Sequence, residues 1–337
     1  MATLSTQFPT LIDLASQPKN SEVKDVIELL AQYNPILQDA LMLECNNGTR
    51  HKTFVRTGLP TVAWGKLYEG VPATKGTKQL VEDVTGFVRS ASEVDQIYVD
   101  TFEKAEEKMS VRLDEAASHL EAMAQEFATA VFYHDSQVDP SKPTGFAPRF
   151  NDLAAENGKQ IIDGGGAGNT NTSIWLITWA EDGSHLIYPK GSTAGVKRKD
   201  RGVEVAFDSN NRKYHVYRED FELHFGLSVR NWQYVSRVAN IDVDDLEEDA
   251  NAGANIVNLM TEAYYVHKGR RVKKGRTFWY MNTTCVKFLD YQSRLQQNTN
   301  LFLTWEKYGP NAEEVLTFRG IPIHECDAIV ETEGAVA

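Results

Sequence analysis

The stretch from Asn46 to Ala91 limits the possible folds of this chain more than any other. It reads as two extended arms around a broken middle. Asn46-Asn47-Gly48 is a turn signal. Lys52-Thr53-Phe54-Val55-Arg56 follows as a strand-type run, then Gly58-Leu59-Pro60 and Thr61-Val62-Ala63-Trp64. Gly65, Gly70, Pro72 and Gly76 break what comes next, and Gln79 to Arg89 is strand-like again. The stretch has few large apolar residues, and a lone two-stranded hairpin is marginal in water. It must lie either on its own domain or on a neighbour.

The rest of the chain supplies a core. Thr277 to Asn282 is an aromatic, strand-type run, and Thr283 to Arg294 is helix-like. Leu301 to Trp305, Val315 to Phe318 and Gly320 to Ile329 add further strand signals, after a polar loop at Gln296 to Asn300. Ser92 to Tyr133 is the longest helical region, with a capping start expected at Ser92 and Asp95. Leu113, Ala117, Leu120, Ala124, Phe127 and Val131 alternate spacings of four and three, which places them on one stripe. A helix from Val111 to Phe132 would be about 30 Å long. Asn20 or Ser21 can open another helix that ends near Tyr33, before Pro35. Hairpins are expected around Asp182-Gly183 and around Asp208 to Asn211, a strand over Leu227 to Val238, an acidic turn at Ile241 to Ala250, and a helix from Ala252 to Val266. The mixture is α+β.

Composition excludes several classes. The chain has 337 residues, enough for two or three subdomains, with 42% hydrophobic and 24% charged residues, which is ordinary for a globular protein. No apolar run approaches a membrane span of roughly 18 residues, and Met1 to Pro9 lacks the pattern of a secretory signal. Three cysteines (Cys45, Cys285 and Cys326) are too scattered for a disulfide scaffold and read as reduced thiols. The net charge of −12 disfavours a general nucleic-acid binder, whose affinity comes from neutralising phosphates.

Candidate chemistry is thin. The glycine run at 164–168 lacks the Lys-Ser/Thr of a phosphate loop, and Asn169 stands where a dinucleotide fingerprint needs glycine. It reads as a packing turn. Gly191-Ser192-Thr193-Ala194-Gly195 has threonine where a nucleophile elbow needs serine. The acidic run Asp242 to Asp249 has Glu247 where a calcium loop needs glycine. The eight histidines are dispersed, and His324 near Cys326 has no second pair to make a zinc site. No catalytic, metal or cofactor-binding residue is assigned. Two basic clusters remain, Lys190 to Arg201 and Lys268 to Arg276. Lys197, Arg198, Lys199, Arg270, Arg271 and Lys273 could meet DNA or acidic surfaces of neighbouring subunits. A nucleic-acid-binding protein using these clusters, or an enzyme of unrecognised type, stands as the alternative reading.

An ordered set of short motifs carries a family resemblance. It comprises Asn46-Asn47-Gly48-Thr49-Arg50-His51, Arg56 to Trp64 and Gly70-Val71-Pro72, then Phe225-Gly226-Leu227, Arg237 to Asp242, Tyr280-Met281-Asn282 and Phe318 to Ile323. The set resembles the major capsid proteins of short-tailed bacteriophages related to epsilon fifteen. The resemblance implies the Hong Kong 97-type capsid fold: an N-terminal arm (1–45), an extended β-hairpin loop (46–91), a peripheral domain (92–240) with a spine helix at about 102–133, an axial domain (241–330) and a C-terminal tail (331–337).

It implies a structural subunit that self-assembles as hexamers and pentamers into an icosahedral head enclosing double-stranded DNA. Such a head is assembled in the bacterial host cytoplasm, and the subunit has no enzymatic activity. The assembly interface is expected on the 1–20 arm and on the extended loop at Arg56, Leu59, Trp64, Lys66, Tyr68, Val71, Lys75 and Lys78. The expected partners are further copies of the chain, a separate scaffolding protein, a portal, a cement or decoration protein, and DNA held by weak non-specific contact; no membrane is involved. Some relatives cross-link subunits through Lys–Asn isopeptide bonds, but no motif selects such a pair here.

Overall fold

The computed structural model describes residues 35–100, 105–207, 211–248, 253–271, 275–295, 303–308 and 313–337. The 1–20 arm, the helix expected to end near Tyr33, the loop from Gln296 to Asn300 and Lys273 lie outside the described residues.

Helix α1 (Pro35–Asp39) and strand β1 (Met42–Glu44) lead into a hairpin of β2 (Arg50–Gly58) and β3 (Thr77–Val84). Strand β4 (Gly86–Asp95), helix α2 (Gln96–Asp100) and the 29-residue helix α3 (Ala105–Tyr133) follow. Strands β5 (Ile161–Asp163), β6 (Asn171–Trp179), β7 (Ser184–Tyr188), β8 (Val196–Phe207), β9 (Lys213–Val229) and β10 (Val235–Asp242) come next. Helices α4 (Val243–Glu248) and α5 (Ile256–Val266), strand β11 (Arg276–Met281), helix α6 (Thr283–Leu295), and strands β12 (Leu303–Tyr308), β13 (Glu313–Phe318) and β14 (Ile321–Glu325) complete the order.

Twelve strands make one mixed sheet in the order β12-β13-β14-β11-β6-β7-β9-β4. Strand β1 flanks β7, β8 flanks β9, and β10 joins β6 to β5. Strands β2 and β3 pair only with each other. The α+β class read from the sequence is the class observed.

The centre of the sheet is covered on both faces, and side-chain alternation shows how. On β6, Trp175, Ile177 and Trp179 point into one apolar layer, and Ile174 and Leu176 into the other. On β11, Phe278 and Tyr280 join the first layer, and Trp279 and Met281 the second. All nine residues of β6 are buried. That two-sided burial explains why Ile174 to Ile177 reads as an unbroken apolar run. The first layer is closed by α3 through Leu120, Ala124, Phe127 and Val131. The second is closed by Ile256, Met260 and Ala263 of α5 and by Cys285, Phe288 and Leu289 of α6. Each large apolar side chain buried this way contributes about 1.5–3 kcal/mol.

Only the later half of the stripe predicted on α3 enters this core. Leu113 is 44% exposed. The earlier half is held by charge instead. Arg112 pairs with Asp200 at 2.7 Å and with the buried Glu219, which also accepts from Arg198 Nε at 2.8 Å.

Five local expectations change, the first being the acidic turn expected at Ile241 to Ala250, where Val243–Glu248 is helix α4. Residues 92–95 belong to β4, so the helical region opens at Asp95, whose carboxylate accepts the Ile97 N–H at 2.8 Å. The run from Gln79 to Arg89 is two strands broken at Thr85; β3 stays in the hairpin and β4 pairs with β9. Asp182-Gly183 does not close a hairpin, because β6 and β7 lie parallel and share one register pair, Trp179 with Ser184. Leu227 to Val238 is divided by a short helical turn at Trp232–Tyr234. The hairpin expected at 203–217 is present, with Phe207 opposite Lys213.

The final residues are fastened into the body. Glu333 is buried and accepts hydrogen bonds from Tyr133, Ser173 and Arg237, the last at 2.8 Å. Arg237 also donates to the Phe150 carbonyl at 2.6 Å. Removing one member of a buried ion pair leaves an uncompensated charge. Glu333→Ala is therefore expected to lower the urea-unfolding free energy by about 3–5 kcal/mol, with a smaller loss for the apolar double variant Glu333→Leu with Arg237→Met.

Candidate functional site

The β2–β3 hairpin is the part of the molecule that its own fold does not use. Its strands pair from Arg50 opposite Val84 to Gly58 opposite Thr77, with a register shift between Arg56 and Gly58. Every residue from Leu59 to Lys75 is exposed. Leu59, Val62, Trp64, Leu67, Tyr68 and Val71 all stand in solvent, Trp64 at 99%. Phe54 and Leu80, opposite one another lower on the hairpin, are also exposed. Little ties the tip internally: Thr74 Oγ1 donates to the Thr61 carbonyl at 2.8 Å, and Lys66 lies 3.8 Å from Glu69. A run of large apolar side chains with no internal partner marks an interaction surface.

The base is built differently. His51 and Asp83, opposite each other, are buried. Asp83 pairs with Arg149 at 2.8 Å, and Arg149 also donates to the Leu227 carbonyl at 3.1 Å. Arg230 Nη2 donates to His51 Nε2 at 2.9 Å, and the His51 ring meets that of His185 edge-on at 5.5 Å. A guanidinium has only donors, so His51 Nε2 must be the unprotonated nitrogen. Burial and then the Arg230 charge hold His51 below its ordinary range, and the same causes push His185 down to about 3. Gly226 lets β9 pass under the hairpin, since a Cβ there would meet the Val84 carbonyl at 2.6 Å. The arm is thus packed at its root and exposed at its tip.

Among the described residues no cluster of histidine, cysteine or carboxylate side chains could hold a metal. The glycine run packs as a turn: the Gly164 and Gly166 amides donate to the Ala239 and Asn240 carbonyls at 2.8 Å, and the Gly165 amide to Asp163. Those amides are not offered to a phosphate. Among the described residues no helix is long and apolar enough to cross a membrane.

The family model for the major capsid protein GP7 matches residues 18–337. This chain belongs to that family of major capsid proteins. A solved chain of bacteriophage Epsilon15 is 33% identical, with a TM-score of 0.68, covering 100% of this chain and 99% of that one. The procapsid of bacteriophage JBD30 is 10% identical at a TM-score of 0.42 over 92% of this chain and 100% of that one. The capsid of a native GTA particle is 10% identical at 0.40 over 60% and 89%. These two distant likenesses carry no argument. No curated protein matches the sequence. The role of a major capsid protein is structural, and the Hong Kong 97-type expectation stands on the Epsilon15 likeness.

On this capsid protein, Arg56, Leu59, Trp64, Lys66, Tyr68, Val71, Lys75 and Lys78 all fall on the exposed part of the hairpin. The basic residues separate. Lys197, Arg198 and Lys199 lie on β8, where Arg198 is held by Glu219. Arg270 stacks over Tyr264 and Tyr265, 5.2 Å from each ring, beside the exposed Arg271. The sequence reading missed the anchor of His51, Asp83, Arg149 and Arg230. Its members are far apart in the chain, and no local pattern joins them.

The anchor has a pH signature. Acidification protonates the unfolded chain first, because His185 stays neutral in the fold from its ordinary 6.5 down to about 3. His267, buried between Thr178 and Ser236, is likewise pushed down to about 3, by burial and then Arg270. Stability should thus fall as pH drops below 6.5, by about 1.4 kcal/mol per pH unit for each such histidine. Urea unfolding of the subunit between pH 7.5 and 5 checks this, and His185→Gln should make the decline shallower.

Proposed function

We propose that copies of this chain form hexamers and pentamers that close into an icosahedral head around double-stranded DNA, with the 50–84 hairpin as the principal reach onto a neighbouring subunit. The observation that carries this reading is the tip from Leu59 to Lys75, which is apolar in part and wholly exposed. Burying an apolar side chain such as Leu59 or Val62 contributes about 1.5–3 kcal/mol, less the cost of ordering the loop. Closed symmetry lets each arm bind its neighbour in the same way around the shell.

In the same reading, residues 1–45 form an arm, 46–91 the extended loop, 92–240 a peripheral domain, 241–330 an axial domain and 331–337 a tail. Lys66, Lys75, Lys78 and Arg56 add charge to a surface whose apolar anchors are Leu59, Trp64, Tyr68 and Val71. The partners are a scaffolding protein, a portal, a cement or decoration protein, and packaged DNA, with assembly in the bacterial host cytoplasm. A chain of net charge −12 meets DNA weakly and without sequence preference. That allows DNA to be packed against a wall without adhering to it.

Expression with the scaffolding protein, followed by electron microscopy, tests the reading. The wild-type chain should give closed shells. The triple variant Leu59→Ser, Val62→Ser, Trp64→Ser should keep its melting temperature, because none of these side chains packs in the subunit, but yield no shells. Normal shells from that variant would remove the hairpin tip from the interface.

A further inference from the structure

The β4–β9–β8 ribbon presents a groove of about 530 Å³ whose charge is opposite to that of the whole chain. Register places Lys197, Glu222 and Arg89 in one cross-strand row, and Lys199, Asp220 and Ala91 in the next. The rows between them, such as Arg198, Phe221 and Ser90, face α3, where Ser90 Oγ lies 2.7 Å from His119. Most charges in the groove are already matched. Arg89 pairs with Glu222 at 3.1 Å, Arg201 with Asp220 at 2.7 Å, and Arg218 with Asp220 at 2.9 Å and with Glu93 at 3.2 Å. Lys197 and Lys199 are exposed and differ. Among the described residues, neither has a carboxylate within ion-pair distance; Lys197 Nζ donates only to Ser192 Oγ, at 2.7 Å.

The complementary feature is α4. Its six residues expose Asp244, Asp245, Glu247 and Glu248, and among the described residues none of the four pairs with a cation. Helix α4 follows β10, and the groove is formed by β4, β8 and β9. The two are separate features of one subunit.

We infer that the groove at Lys197 and Lys199 receives the acidic helix α4 of a second copy of this chain, giving a head-to-tail contact that repeats from subunit to subunit. This rests on the capsid reading. The spacings agree: residues two apart on a strand stand about 6.6 Å apart along it, and residues three or four apart on a helix stand about 5–6 Å apart. Asp244 with Glu247 or Glu248 can therefore meet the two lysines together. Glu222 and Asp220, opposite the two lysines, are committed to Arg89, Arg201 and Arg218, which leaves the lysines to the incoming helix. Exposed ion pairs are individually weak and salt-labile, so the contact sets register and assembly rate more than bulk affinity.

Charge reversal tests the assignment on the full chain expressed with its scaffolding protein. Lys197→Glu with Lys199→Glu, and separately Asp244→Lys with Glu248→Lys, should each reduce the yield of sedimenting shells about tenfold, the effect of roughly 1.4 kcal/mol. The four changes together should restore most of the yield, and all variants should melt like wild type. Wild-type shells in the same experiment keep the capsid reading separate from this one. Undiminished yield from the lysine pair would overturn the inference, as would a quadruple variant no better than either double. Normal shells that retain less DNA would also overturn it, in favour of a nucleic-acid contact. If a reversed pair fails to fold, Lys197→Ala with Lys199→Ala serves in its place. Its assembly should lose most of the wild-type salt dependence, and an unchanged salt dependence overturns the inference.

Discussion

Two-sided burial of β6 and β11 is the constraint from which the rest of the structure follows. A strand whose residues are all buried cannot stand at the edge of a sheet or face water. It needs a layer of helix on each side, and the chain provides both: α3 against Trp175, Ile177 and Trp179, and α5 with α6 against Ile174 and Leu176. Some polar members of this core are matched internally, while the indole N–H groups of Trp175 and Trp279 are buried without a partner. Trp179 donates to the Tyr280 hydroxyl at 2.9 Å, that hydroxyl donates to Asp39 at 2.8 Å, and His324 lies 2.6 Å from the same carboxylate oxygen. This chain of contacts joins α1, near the start of the described residues, to β14, near the end.

A tile so complete in its centre can leave its margins unfinished. The hairpin shows the division. Its root is locked by buried charge at Asp83 and Arg149 and by neutral histidines. Its tip carries large apolar side chains into solvent. Rigid attachment lowers the entropy lost when such an arm docks, because only the tip must be ordered. A flexible root would cost the assembly more for each subunit added.

Charge divides in the same way. Several buried or half-buried ions are paired within the subunit: Arg112 and Arg198 with Glu219, Arg237 with Glu333. Among the described residues, exposed charges without an ion-pair partner include Lys197 and Lys199 and the four carboxylates of α4. Unpaired surface charge steers association and rejects wrong orientations more than it adds affinity. In a chain of net charge −12, pairing of these patches between copies would also relieve self-repulsion.

Much of this was legible in the residues alone. The alternation of Lys52 to Arg56 and the glycines and prolines of 58–76 marked an extended hairpin, although its large apolar side chains are more numerous than that reading allowed. The aromatic run Thr277 to Asn282 marked a core strand, and the spacing of Leu120, Ala124, Phe127 and Val131 a helix face. Local periodicity reports burial, so these elements were visible. It does not report partners. Whether Gly86 to Asp95 stays in the hairpin or joins β9, whether Asp182-Gly183 closes a hairpin, and which charges lock His51 and Asp83 depend on contacts between residues far apart in sequence. The sequence determined that this chain has an apolar core and an arm without one. The tertiary structure decided where the arm is anchored, which cations are already matched, and which face is left open to a neighbour, because pairing and desolvation are settled only when distant segments meet.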